Sequence, residues 1–266
     1  MIELKHKLTN DILFKMMFIY NQDLLKQLVA SLLNLDYRTL KHFTVTNQEI
    51  PPEEIGQKFC RLDINMNVNG NFINLEIQVR DEGNYPERSL YYMARVLSSN
   101  LSTGEDFKEI PQVIMINILD FSLFPNQSRI HSEFQMLEVT SHEPLTDKAA
   151  IHFFELPKLT KEIIYDSGQQ IWLRLINAKT EEDLAAIEAL GVPIMKKAIK
   201  AYRRVSTSPE YAEIKRLREK AGHDEAQAIS NAERKRDNYW QNIVADLNAE
   251  KDSTIATQAA LIAELK

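Results

Sequence analysis

The chain has 266 residues, 44% of them hydrophobic, which is enough for one large domain or a domain with an appendage. Its formal net charge of −6 argues against a protein that coats nucleic acid through bulk positive charge, although an enzyme handling DNA in one groove need only be basic locally. One cysteine, Cys60, leaves no internal disulfide or cysteine-rich zinc site, and neither the polar start MIELKHKLTND nor the short apolar run at 113–119 suits a signal or a membrane span, so a cytoplasmic protein is expected.

The first element opens at Thr9-Asn10-Asp11, where Thr9 or Asn10 can cap a helix and Asp11 suits the helix dipole. Ile12, Leu13, Met16, Met17 and Ile19 continue it. After a break at Asn21-Gln22-Asp23, residues 24–35 repeat the helical spacing. Residues 43–50 read as a strand ended by Pro51-Pro52. Residues 59–68 then place Leu62, Ile64, Met66 and Val68 on one strand face, and residues 72–80 place Ile73, Leu75, Ile77 and Val79 on one face. Asn69-Gly70 between them is a strong hairpin signal, because a type I′ turn needs positive φ at both positions.

A helix is predicted over 86–101, with Pro86 at its start and Gly104 beyond its end. Residues 112–119 read as a central strand buried on both faces, and 130–139 and 150–156 as further strands. A helix joining strands suggests a crossover, so the class is α/β. From about Lys158 the pattern is helical, over 161–178, 180–190 and 194–205. The last of these holds the basic stretch Lys196, Lys197, Lys200, Arg203 and Arg204, whose ordinary reading is a solvated helix face. From Pro209 the chain is helical and highly charged. A seam of Trp240, Val244, Leu247, Leu261 and Leu265, weakened by Lys251, Thr254 and Gln258, reads equally as a coiled-coil arm for a homo-oligomer or as a lone solvated helix. The expected organisation is a core at 1–157, a helical extension on or near it at 158–208, and a charged helical tail at 209–266.

The hairpin register can be worked out from its turn. A two-residue loop pairs Val68 with Asn71, and counting back along both arms sets Asp63 opposite Glu76 and Arg61 opposite Gln78. Opposed residues share a sheet face, so Asp63, Glu76 and Gln78 gather on the polar side. Two facing carboxylates repel, and a divalent cation with oxygen ligands removes that penalty. The Ile77 backbone carbonyl can add a third oxygen. The same residues also fit a solvated face where Arg61 and Arg80 hold the acids apart, or a shared proton between Asp63 and Glu76. A three-residue turn would flip the faces.

Four segments carry a family resemblance: Asn10-Asp11-Ile12-Leu13-Phe14-Lys15-Met16-Met17-Phe18, Leu62-Asp63-Ile64, Asn74-Leu75-Glu76-Ile77-Gln78, and Arg88-Ser89-Leu90-Tyr91-Tyr92 ahead of the apolar strand at Val113. In this order they resemble the PD-(D/E)XK nuclease family transposases, also called recombination-promoting nucleases. The resemblance spans about Lys7 to Trp172 and implies a restriction-endonuclease-like core of helix, three strands, helix and strand, followed by a helical C-terminal extension. It further implies Mg²⁺, or Mn²⁺, held by Asp63 and Glu76, with DNA as substrate in a recombination or mobile-element setting.

Gln78 stands where many nucleases of this superfamily have a catalytic lysine. Glutamine can orient water but brings no charge. Lys15 and Arg80 are candidate substitutes for the charge, Arg88 can touch phosphate, and Asp11 can add a metal oxygen. Each also has an ordinary structural reading: a snorkelling lysine, a helix-start acid, a helix-packing arginine. The six histidines show no paired ligand spacing and read as structural or exposed, and Cys60 reads as an inert thiol. The favoured function is Mg²⁺-dependent endonucleolytic hydrolysis of DNA. The rival is an inactive nuclease-fold protein that binds DNA or assembles with protein, which Gln78 and the acidic charge favour.

Overall fold

The computed structural model of the protein describes residues 2–46, 64–100, 106–160 and 167–264. They form two compact units, Met1–Tyr211 and Ala212–Lys266. Asp63, Arg61 and Cys60 lie outside the described residues, as do Pro51 and Pro52.

The first unit opens with α1 (Asp11–Ile19), whose N-cap is Asn10: its side chain accepts from the Leu13 N–H. Asn21 separates α1 from α2 (Gln22–Leu32), its side-chain amide donating to the Met17 carbonyl at 2.6 Å. Gln22 and Asp23 belong to the second helix rather than to the break. Strand β1 (Phe43–Val45) pairs with β2 (Ile64–Val68), which pairs with β3 (Asn71–Gln78). Helix α3 (Tyr85–Ser99) has Pro86 in its first turn and carries the chain over to β4 (Val113–Leu119). Strands β5 (His131–Phe134) and β6 (Ala149–Glu155) complete a six-stranded sheet of order β1-β2-β3-β4-β6-β5. The β3/β4 and β4/β6 pairs are parallel and the outer pairs antiparallel. The apolar run of β4 thus sits in the middle of the sheet, as a strand covered on both faces must.

Two predicted strands are shorter than expected. β3 stops at Gln78, where the Asp120 N–H donates to the Gln78 carbonyl at 2.9 Å, and Val79 beyond it is exposed. β5 stops at Phe134, and the chain after it folds on itself: Leu137 bridges Pro144, and the Leu145 N–H donates to the Met136 carbonyl at 2.9 Å. Val139, expected in that strand, is exposed in the resulting turn.

The period of two along each strand divides the side chains between two apolar layers. One face (Ile64, Met66, Ile73, Leu75, Ile77, Ile116, Ile118 and Phe154) packs with α1 and α2 and with the helices after the sheet. These are α4 (Gly168–Asn177), α5 (Glu181–Ala189) and α6 (Pro193–Ser206). A capping box of Thr180 and Asp183 starts α5. The basic residues of α6 lie outside its buried stripe, where Lys197 pairs with Asp23 and Arg203 with Glu181. The opposite face (Val113, Met115, Leu119, Ala149, Ile151 and Phe153) packs under α3 through Tyr85, Met93 and Val96.

Helix α7 (Pro209–Glu264) begins in the first unit, where Tyr211 is buried against the His6 ring and 3.4 Å from Asn10 Oδ1. Its second-unit part exposes Tyr239, Trp240, Val244 and Leu247. No described helix is long and apolar enough to cross a membrane.

Asn69 and Gly70 adopt φ of 53° and 89°, the pair a type I′ turn requires. The Asn69 side chain also accepts from the Lys41 and His42 N–H groups and donates to the Thr39 carbonyl, which ties the turn to the chain entering β1. We expect Asn69→Ala to lower stability by about 1–3 kcal/mol through these lost bonds and the less tolerated backbone, read as a lower urea midpoint at unchanged slope. A change within error would show that the turn does not set the pairing.

Candidate active site

The β2/β3 register pairs Val68 with Asn71 and Ile64 with Leu75, as the two-residue loop predicts. Glu76 follows Leu75 on the alternate face, and its parallel neighbour in β4 is Asn117. Both are buried, Glu76 being 7% and Asn117 1% exposed. Tyr85, in the first turn of α3, covers them. Its hydroxyl donates towards Glu76 Oε2 at 3.3 Å and Asn117 Oδ1 at 3.0 Å. Having one hydrogen, it can serve only one of these acceptors strongly at a time. The Asn117 side-chain amide donates in turn to the His152 carbonyl at 3.1 Å, so the carboxylate and the β6 backbone are joined through one tyrosine and one amide.

Two more amides extend this polar row. Asn74 Nδ2 donates to Asn65 Oδ1 at 3.0 Å, and both residues are buried. Asn65, Asn74, Glu76 and Asn117 therefore lie on the face roofed by α3, in a sheet whose other buried positions are almost all apolar.

The other expected site residues fall around this row. Gln78 follows Glu76 on the same face at the end of β3, partly exposed, and its Nε2 donates to the Arg80 carbonyl at 3.1 Å. The Arg80 side chain is exposed. Arg88 is brought to the site through Tyr85: its guanidinium stacks 4.5 Å from the Tyr85 ring centroid and pairs with Glu82 at 3.1 Å. Ile77 lies in the β3/β4 ladder opposite Ile118. Asp11 and Lys15 sit half-buried on α1, whose apolar stripe packs with Leu75 and Ile77 and so covers the opposite face of β3. Asp63 belongs to the segment outside the described residues.

Tyr85, Asn74 and Asn117 were not singled out in the sequence. The signal available was Asn117 inside the apolar run of β4 and Asn74 beside Glu76, each a polar residue where burial demands a partner. Tyr85 lacked any such mark, since its role follows from where the crossover helix lands.

A second polar cluster lies on the other face, at the far edge of the sheet. His131 Nε2 and His152 Nδ1 are 3.0 Å apart, with Glu133 beside them. The histidines show no paired spacing along the sequence, which predicts structural or exposed roles; His131 and His152 meet because β5 and β6 are antiparallel neighbours, with Glu133 facing His152 and His131 facing Phe154, all on one side.

A family model, PD-(D/E)XK nuclease family transposase, matches residues 8–232. The chain belongs to this family. Neither the curated proteins nor the solved structures contain a significant match. The mixed six-stranded sheet flanked by helices is consistent with the α/β nuclease fold of this family.

Burial depresses both histidines of the edge cluster, His152 to about 4; the neighbouring Glu133 opposes the shift. The folded state therefore keeps them neutral at pH values where the unfolded chain binds protons. Below the unfolded pKa of about 6.5 the unfolded chain gains protons first, so this pair stabilises the fold above that pH and the contribution is lost towards pH 4. Urea unfolding between pH 7 and pH 4.5 should show falling stability, with a shallower decline in His131→Phe. Identical slopes would exclude the histidine pair as the source.

Proposed function

We propose that this nuclease-fold protein is a metal-dependent DNA endonuclease whose site is built from Asp63, Glu76 and Gln78. The observation that carries the reading is Glu76: a carboxylate buried in the central hairpin, held by Tyr85, one step along the register from Leu75. Continued one position beyond the Ile64–Leu75 pair, the same register would bring Asp63 opposite Glu76. Burying a carboxylate is costly unless its charge is met, and two carboxylates with the Ile77 carbonyl form a hard-oxygen donor set suited to Mg²⁺ or Mn²⁺. When bound, the cation supplies positive charge to the scissile phosphate and lowers the pKa of an attacking water.

The chain's own residues carry the remaining roles. The Tyr85 hydroxyl orients the Glu76 carboxylate. The Gln78 amide, next along the same face, positions water by hydrogen bonding and adds no charge. Arg88, stacked on Tyr85, is the cation best placed to attract phosphate, with the exposed Arg80 beside the strand end. Asp11 and Lys15, on the helix covering the other face, are proposed only for the rim, as an added oxygen and an added charge.

Nicking of supercoiled DNA with Mg²⁺ tests this reading. Asp63→Asn and Glu76→Ala should each lose at least about a hundredfold in rate, and Tyr85→Phe about five- to tenfold, the worth of one hydrogen bond. Equal nicking by wild type and Glu76→Ala would assign the activity to a contaminant. No nicking by wild type would favour the inactive, DNA-binding reading that glutamine at position 78 supports.

For α7 we propose pairing with a second copy through the exposed Trp240, Val244 and Leu247, three residues at heptad spacing. Light scattering should give twice the 30.8 kDa chain mass, falling to the monomer in Val244→Glu/Leu247→Glu. A wild-type monomer would leave the tail a solvated helix.

A further inference from the structure

We propose that His131, Glu133 and His152 form a binding site for a divalent transition-metal ion, best matched by zinc(II), separate from the carboxylate site. Nothing in the PD-(D/E)XK hairpin contributes to it: the three residues lie on the edge pair β5/β6, on the face opposite Glu76.

The backbone arranges the donors. His131 and Glu133 are two apart on β5 and so point the same way, and Glu133 is directly opposite His152. One donor atom from each lies within 4.8 Å of the others. Four-coordinate zinc at about 2.0–2.1 Å from nitrogen places its ligand atoms about 3.3 Å apart. The two imidazole nitrogens are already 3.0 Å apart, so a slight widening suffices.

Their present contact is a hydrogen bond in which one ring nitrogen carries the proton. Both nitrogens become ligands when that proton moves to the far nitrogen of its own ring, a tautomer change with no net proton loss from a neutral pair. The rings are held for this: His131 stacks on Phe154 at 4.4 Å and within 9° of parallel. Burial lowers the pKa of both rings, which favours the neutral form that ligation needs. Two imidazoles and one carboxylate are the three-ligand set of open zinc sites, and the nitrogen donors disfavour Mg²⁺.

The cluster also has room for the remaining coordination positions. It lines a cavity of about 740 Å³, together with Ser31, Asn34 and Gln169. Water or a polar group of a small ligand can complete the shell there.

The test uses the full chain stripped with chelator and titrated with Zn²⁺ in a calorimeter, with Co²⁺ as a spectroscopic probe. We expect one site of micromolar or tighter affinity in wild type, and visible d–d bands of four-coordinate cobalt. Glu133→Gln, at an exposed position, and His131→Phe, which keeps the stack on Phe154, should each weaken Zn²⁺ at least about tenfold. Glu76→Gln should bind Zn²⁺ at this site as wild type does. Absence of Zn²⁺ binding below about 100 µM, or of the cobalt bands, overturns the proposal. Wild-type affinity in both edge variants does so as well, as does loss of binding in Glu76→Gln alone, which would place the ion at the carboxylates of the hairpin.

Discussion

Asn69 and Gly70, both at positive φ, hold β2 and β3 in one pairing, and the side-chain period of two then decides which residues meet which layer. A slip of one residue would drive Glu76 into the apolar layer that holds Leu13 and Phe14 of α1, and would turn Leu75 and Ile77 towards the amide row. Neither layer could absorb such an exchange without burying an unmet carboxylate and exposing several large aliphatic groups. The bonds from Asn69 to Lys41, His42 and Thr39 extend this constraint to β1, so the turn fixes three strands together.

The hairpin was legible because its information is local. Asn69-Gly70 names the turn, and the alternation of Ile64, Met66, Ile73, Leu75 and Ile77 names the faces. Burial of β4 on both sides was legible for the same reason, from the unbroken run at Val113. Helix starts at Asn10 and Thr180 follow from side chains that cap within three residues of themselves. Asp63 itself falls in the segment outside the described residues.

What was not legible depends on where distant elements land. Tyr85 reaches Glu76 only because the crossover from β3 to β4 sets the first turn of α3 over the strand. The approach of His131 to His152 requires that β5 add to the edge of β6, a pairing no local pattern announces. The over-long readings of β3 and β5 have one cause: alternation continues in the sequence through Val79 and Val139, but strands end where their partners do. The last bond to β3 comes from the Asp120 N–H, just past the end of β4, to the Gln78 carbonyl, and the chain after Phe134 makes hydrogen bonds within its own turn.

Asn117 relates the two faces of the sheet to each other. Its side chain stands with Tyr85 and Glu76 under α3, yet its amide donates to the backbone carbonyl of His152, whose ring points to the other layer. In an otherwise apolar β4 this asparagine serves one acceptor and one donor at once: its amide N–H donates to the His152 carbonyl of β6, and its Oδ1 accepts from the Tyr85 hydroxyl. An aliphatic residue there would leave the His152 carbonyl without that donor and would free the Tyr85 proton for Glu76 alone. The orientation of the carboxylate is therefore set by the crossover helix and the central strand together, through contacts that run from β3 by way of Tyr85 and Asn117 to the β6 backbone.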